Sequence, residues 1–241
     1  AVPGFNASAD SHASPPVQPA LEAFFCNYNP GKDRDDLDSA TNFYMKQAKK
    51  AGFTTPNAFL WTHNKGTAPA DIVWMNVHES LVAYGASDDA AAASSEMADV
   101  NDRYDSVATC QAGLGIGTPI ITPDPAAAGL EMSTLAAYAC TFRHGVGPDA
   151  LVDLRNHIRE TNEGMGDAGL AAAFQIEPMT GGANASDVVF VAVAESTEAW
   201  AANLAMLNST PAGQSLVRHF NMVVDCDMNL WWSEQVVGGE G

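Results

Sequence analysis

Asp71-Ile-Val-Trp-Met-Asn-Val-His-Glu-Ser80 decides the fold of this chain, because the sequence writes it twice. Its echo is Asp187-Val-Val-Phe-Val-Ala-Val-Ala-Glu-Ser196. The match runs without a gap from Asp71 to Cys110 against Asp187 to Cys226. Val73 meets Val189, Val77 meets Val193, Glu79-Ser80 meets Glu195-Ser196, and Tyr104 meets Phe220. Upstream the offset drifts slightly, as loop-length changes would make it. Phe24-Phe25-Cys26 answers Tyr138-Ala139-Cys140. Self-similarity on this scale reads as a duplicated unit of about a hundred residues.

The elements follow outward from that strand. Leu21–Tyr28 is apolar and aromatic and reads as a strand. Asp33–Lys50 carries Leu37, Ala40, Tyr44 and Ala48 at helical spacing and stops at Gly52. Asn57–His63 and Asp71–Glu79 are strands around the turn Asn64-Lys65-Gly66. Ser80 suits a helix N-cap, since its hydroxyl can accept from an orphan backbone N–H. The Ala-rich stretch after it, with Met97, Val100 and Tyr104, reads as helix, and Val107–Gln111 as a fourth strand. The second unit repeats the order over Leu135–Arg143, Ala150–Glu163, Leu170–Glu177, Asp187–Glu195, Thr197–Leu207 and Met222–Met228. The expected division is an arm over 1–20, a first unit over 21–117, a linker over 118–134, a second unit over 135–232 and a tail over 233–241.

Composition narrows the partners. The chain is 46% hydrophobic and has a net charge of −18, with only 11 Lys and Arg. Nucleic acid and anionic membrane surfaces are therefore unfavoured partners. No apolar run approaches the roughly 20 residues that span a bilayer. Four cysteines allow three pairings. The repeat selects Cys26 with Cys110 and Cys140 with Cys226; the alternative is four buried free thiols. With an Ala, Ser and Pro-rich start at Ala1, the bridged version points to a secreted or periplasmic protein. Sequons stand at Asn6, Asn184 and Asn208, a pattern short enough to arise by chance.

The order β-α-β-β-α-β is the ferredoxin-like unit, in which the fourth strand lies beside the first. Two such units in one chain resemble the dimeric α/β-barrel superfamily in a fused, tandem form. The resemblance covers Leu21 to Trp232. It implies an α+β fold whose two sheets pack into an intramolecular barrel, with a monomer able to bury both sheet faces. It also implies a cavity for a small organic molecule, aromatic ones included, served by cofactor-free acid/base or monooxygenase-like chemistry. A non-catalytic binding or stress-associated protein of the same fold is the alternative. Some barrels of this superfamily bind haem, for which His157 or His219 would be the ligand to propose.

Strand parity proposes which residues face the barrel interior. The uniformly apolar set Val73, Met75, Val77 and Val189, Val191, Val193 is expected against the helices. That leaves Trp74, Asn76, His78 and Phe190 inside. By the same reading Phe25, Asn27, Thr109 and Gln111 face inward. So do Leu60, Thr62, Gln175, Glu177, Thr141, Arg143, Asp225 and Asp227. A one-residue slip in parity would invert the whole set. His78 is the candidate acid/base, and Asn76 and Arg143 are candidate polar anchors. Trp74, Phe190, Gln175, Asp225 and Asp227 are candidate ligand contacts. The competing reading of His78 is a satisfied structural histidine. No metal site is expected: His63 and His78 lie at opposite ends of a hairpin, roughly 23 Å apart. Gly113-Leu-Gly-Ile-Gly117 lacks the lysine and following helix of a phosphate loop and reads as a flexible exit to the linker. Trp231 and Trp232 read as a plug or tail anchor just after the last strand.

Overall fold

A computed structural model describes residues 18–68, 70–122, 132–180 and 186–238. The first half runs β1 (Ala20–Tyr28), α1 (Arg34–Ala51), β2 (Asn57–Lys65), β3 (Ile72–His78), α2 (Leu81–Ala92), α3 (Ser95–Asp105) and β4 (Ala108–Ile121). The second runs β5 (Ser133–Phe142), α4 (Ala150–Glu163), β6 (Ala172–Pro178), β7 (Val188–Ala194), α5 (Thr197–Ser209), α6 (Pro211–Val223) and β8 (Val224–Val237). The eight strands close an antiparallel barrel in the order β1-β3-β2-β8-β5-β7-β6-β4.

Local chemistry sets the element ends. Asp33 caps α1 by accepting from the N–H groups of Asp35 and Asp36, and Asp36 accepts back from the Asp33 N–H. Gly52, at φ 66°, ends the helix in the left-handed conformation that a side chain would resist. Leu37, Ala40, Tyr44 and Ala48 form its buried stripe, as their spacing predicts. Ser80 and Ser196, matched in the repeat, cap α2 and α5 by accepting from Ala83 and Ala199. Asp71 and Asp187, just before β3 and β7, also share a role. Asp71 accepts from the Tyr28 N–H at 3.1 Å and Asp187 from the Phe142 N–H at 2.8 Å, tying each third strand to the end of the first.

Closure rests on two long strands. β4 pairs with β1 from Ala108 to Ile116 and, further on, with β6 from Gly115 to Ile121. β8 does the same with β5 and then with β2. Each fourth strand thus begins in its own half and ends on the other, which removes the free sheet edges. Gly115 permits the crossing to β6: a Cβ there would stand 2.9 Å from Ile176 Cγ2 and 3.0 Å from the Glu177 carbonyl oxygen.

Several boundaries differ from the sequence reading for the same reason. Gly113–Gly117 is strand, not a flexible exit, and residues 118–121 of the expected linker extend it. Trp231 and Trp232 lie within β8, which continues to Val237 through the first part of the expected tail. Pairing with the other half supplies ladder partners that composition alone does not reveal. The single helix expected after Ser80 is two, because Ser94 caps afresh by accepting from Met97. Helix α6 was not anticipated; Thr210 caps it and Pro211 opens it. Gly213 seats it against α5, where a Cβ would meet Leu207 backbone at 2.5 Å. Residues 1–17 of the expected arm and 123–131 of the expected linker lie outside the described residues, as do Asn6 and Asn184.

Both expected disulfides are present, Cys26–Cys110 and Cys140–Cys226, joining first and fourth strands directly across the ladder.

Candidate functional site

The parity expected for β3, β6 and β7 is inverted. Val73, Met75 and Val191 join Trp61, Leu135 and Trp231 in the cluster that fills the barrel. Trp74 packs instead with Leu37, Ala40 and Tyr104 beneath the helices, and Phe190 packs with Leu151, Leu154 and Phe220. The reasoning failed on a physical point. A closed barrel interior, walled by eight strands, is the drier of the two faces. The helix-facing layer can hold polar groups because helices supply partners for them. For β1 and β4 the expected faces are correct: Phe25, Asn27, Thr109 and Gln111 all face the lumen.

One end of the lumen is packed by Phe59, Val77, Leu135, Phe174 and Val193. Towards the other end a cavity of about 710 Å³ remains. Its hollow has a sequence cause. Gly113, Gly115, Ala137 and Ala139 thin one wall, beside Val189, Ile176 and Pro178, while Trp61, Met75, Phe25 and Trp231 form the other. Asn27, Gln111, Thr109, Thr180, Ser186 and Asn229 add neutral polar groups, and no ionisable side chain lines the cavity among the described residues. His63, opposite Trp231 in the ladder, rests against it with ring centroids 5.2 Å apart. A larger depression, about 890 Å³ between α1 and α3, lies outside the barrel; it is an open trough lined by Asp35, Asp38, Asp99 and Asp102 together with Lys46, Arg103 and Phe43.

The candidate acid/base residues do come together, but on the outer face of the sheet. Trp74 Nε1–H donates to Asn76 Oδ1 at 2.8 Å, and Asn76 Nδ2–H donates to Glu22 Oε2 at 2.9 Å. His78 is 7% exposed; its Nε2 stands 3.9 Å from the same carboxylate oxygen and has no hydrogen-bond partner. Its ring meets Tyr84 of α2 edge-on at 5.3 Å. Glu22 was missed, although it is the one acid in the apolar run Leu21–Tyr28. Register explains the group: Glu22 pairs directly with Asn76. Replacing Glu22 with Ala strands Asn76 Nδ2 and removes the carboxylate facing His78. A loss of about 1–3 kcal/mol in unfolding free energy is expected by urea titration; an unchanged midpoint would show that water already serves both groups.

The other proposed residues are scattered. Gln175 is fully buried on the helix side, accepting from Arg155 of α4 at 2.8 Å and donating to Glu177 at 2.7 Å. Leu60 likewise lies under the helices. Arg143 and Asp225 form a 3.3 Å ion pair that is largely in water, worth at most about 1 kcal/mol. Asp227 is exposed nearby in β8.

All five tyrosines hold their protons above the ordinary phenol range, with burial the first cause in each. Tyr104 is pushed up to about 12. Unfolded tyrosine ionises near 10. Above that pH the unfolded chain releases protons that the folded one keeps, so stability falls as pH rises towards about 12. Absorbance at 295 nm should show phenolate appearing well above pH 10 and together with unfolding. A single tyrosine step near pH 10 with the fold intact would contradict this.

No family model and no curated protein matches the sequence. Solved structures do match in fold. Two are each described as a "putative monooxygenase". The one from Fusobacterium nucleatum subsp. nucleatum has a TM-score of 0.56 at 10% identity, covering 93% of this chain and 96% of that one. The other, from Lactobacillus acidophilus, has a TM-score of 0.53 at 10% identity, covering 91% and 95%. A mutant chlorite dismutase from Candidatus Nitrospira defluvii gives a TM-score of 0.51 at 9% identity, over 90% and 92%. The chain shares the fold of these structures.

Haem, with His157 or His219 as the ligand to propose, can be tested against the residues present. The Nδ1 atoms of His157 and His219 lie 3.0 Å apart and bond each other. The layer beneath their helices is filled by Cys140, Leu151, Leu154, Phe190 and Leu216. The cavity lining holds no His, Cys or Tyr ligand and no Lys or Arg to pair with haem carboxylates among the described residues, and the neighbouring His63 is packed edge-on against Trp231. The residues do not fit the group at either place.

Proposed function

We propose that this protein holds a small, neutral, largely apolar organic molecule, aromatic ones preferred, in its barrel lumen. The observation that carries this is the cavity of about 710 Å³, aromatic on one wall and built of small and aliphatic residues on the other. Its size lies in the range of small-molecule sites, roughly 300–1,000 Å³, and its few polar groups suit orientation rather than charge recognition. A charged ligand would find no charged partner among the described lining residues.

Turnover is the second reading, favoured by the Glu22–Asn76–His78 group and its partnerless imidazole nitrogen. The monooxygenase descriptions of two fold neighbours point the same way. That chemistry would be cofactor-free, and its substrate would approach from beneath α2. This helix covers the group without a single buried residue of its own. Two disulfides support a secreted or periplasmic setting. The equal element orders of the two halves support an origin by duplication, and the closed sheet supports a monomer.

The test is fluorescence titration with two probes of similar size. Neutral N-phenyl-1-naphthylamine should bind at one per chain and quench tryptophan emission through Trp61 and Trp231. Anionic 8-anilinonaphthalene-1-sulfonate should bind far less well. Equal or stronger binding of the sulfonate, or none of the neutral probe, would remove the lumen reading. His78→Ala should leave probe binding unchanged, because His78 lies on the other side of the sheet.

A further inference from the structure

The two histidines set aside for haem suggest a different site. His157 projects from α4 and His219 from α6, helices packed against each other on the outside of the second half. Their rings are partly exposed, tilted by 35°, with centroids 5.2 Å apart. We propose that this pair is a surface site for a divalent first-row transition metal, with Cu²⁺ held most tightly and Ni²⁺ next.

The argument starts from the donors. Two neutral imidazoles that meet through Nδ1 must share one proton between two lone pairs. The hydrogen bond already holds two such nitrogens 3.0 Å apart across a helix interface at the edge of water, close enough for one ion to take both. A metal replaces that shared proton when the donor ring moves its hydrogen to Nε2, where solvent can supply the bond. Both Nδ1 atoms then become ligands with no net change in charge on the protein.

The separation also suits two ligands on one ion. With metal–nitrogen bonds of about 2.0–2.1 Å, nitrogens at 3.0 Å subtend roughly 95° at the ion. That is a cis pair in a tetragonal or octahedral sphere. A tetrahedral ion would set them about 3.3 Å apart. Tetragonal nitrogen and oxygen sites favour Cu²⁺ and Ni²⁺, and the general order of divalent affinities puts Cu²⁺ first. No third His, Cys, Asp or Glu joins the pair among the described residues, so water completes the sphere. The strongly acidic chain, at −18, raises the local concentration of any divalent cation.

The experiment is calorimetric titration of the intact, oxidised chain with CuCl₂ and NiCl₂, together with Cu²⁺ electron paramagnetic resonance. One Cu²⁺ per chain with coupling to two nitrogens is the expected result. His157→Ala and His219→Ala should each weaken it at least about tenfold, since even outer partners of metal ligands are worth that much. His12→Ala and His144→Ala should bind as the unaltered chain does. Because the ion ties α4 to α6, a Cu²⁺ concentration a hundredfold above Kd should raise Tm by roughly 5–10 °C, and not in either variant. Circular dichroism checks that the variants fold. No stoichiometric binding, or binding unaffected by both variants, would overturn the site and leave a hydrogen-bonded pair.

Discussion

Reduction of the two disulfides should cost this protein more stability than any single side-chain change. The bridges close loops of 84 and 86 residues. Loop-closure entropy assigns each about 4–5 kcal/mol, at the upper end of the 2–5 kcal/mol that lost native bridges usually cost. For a chain of this length each kcal/mol moves Tm by about 2–4 °C, so opening one bridge should lower it by about 10–20 °C. The two should not open together. Cys110 is exposed, whereas Cys140 is fully buried and Cys226 only partly exposed. Mild reductant should therefore break Cys26–Cys110 first and give two separate steps in thiol titration. Tm measured at each step, and for Cys110→Ser and Cys226→Ser, checks the magnitude. A shift below about 3 °C with both bridges open would show that the ladder pairs hold the strands without them.

The second large effect is on binding rather than stability. Gly113→Leu should fill the lumen and abolish uptake of the neutral probe, a loss of at least about a hundredfold. Gly113 lines the cavity, and a Cβ added there meets only the Thr180 carbonyl oxygen at 3.9 Å. The backbone therefore need not move, and removing a glycine from a strand should keep or slightly raise stability. Gly115→Leu is the contrast. Its Cβ would press on Ile176 and on the Glu177 carbonyl oxygen, so it should destabilise the β4–β6 pairing. Probe titration and thermal melts of both variants separate the outcomes. Unchanged binding by a folded Gly113→Leu would place the ligand elsewhere.

These glycines show how far local patterns carry. Gly113, Gly115 and Gly117 alternate along one strand, and that alternation is visible in the sequence. Its meaning is not, because glycine in a strand reads equally as a loop until a partner strand is known. The same holds for His78, Asn76 and Trp74. Their spacing correctly puts them on one face, and they do share one hydrogen-bonded group. Which face it is depends on register: Trp74 lies opposite Phe24, and Phe24 belongs with the helices. With Phe25 expected inside, its neighbour Phe24 belongs with the helices, and the β1–β3 register then places Trp74 there too.

The sequence by itself determined the order of the eight strands, the strand periodicities, the helix cap at Ser80 and both disulfide pairings. Each depends on neighbours in the chain or on comparing one half with the other. Only the tertiary structure decided which strand face is the lumen, that β4 and β8 run on into the opposite half, and that Glu22 joins His78. Those outcomes depend on register and closure. They are set by the summed burial of eight strands, an energy that no single stretch of sequence contains.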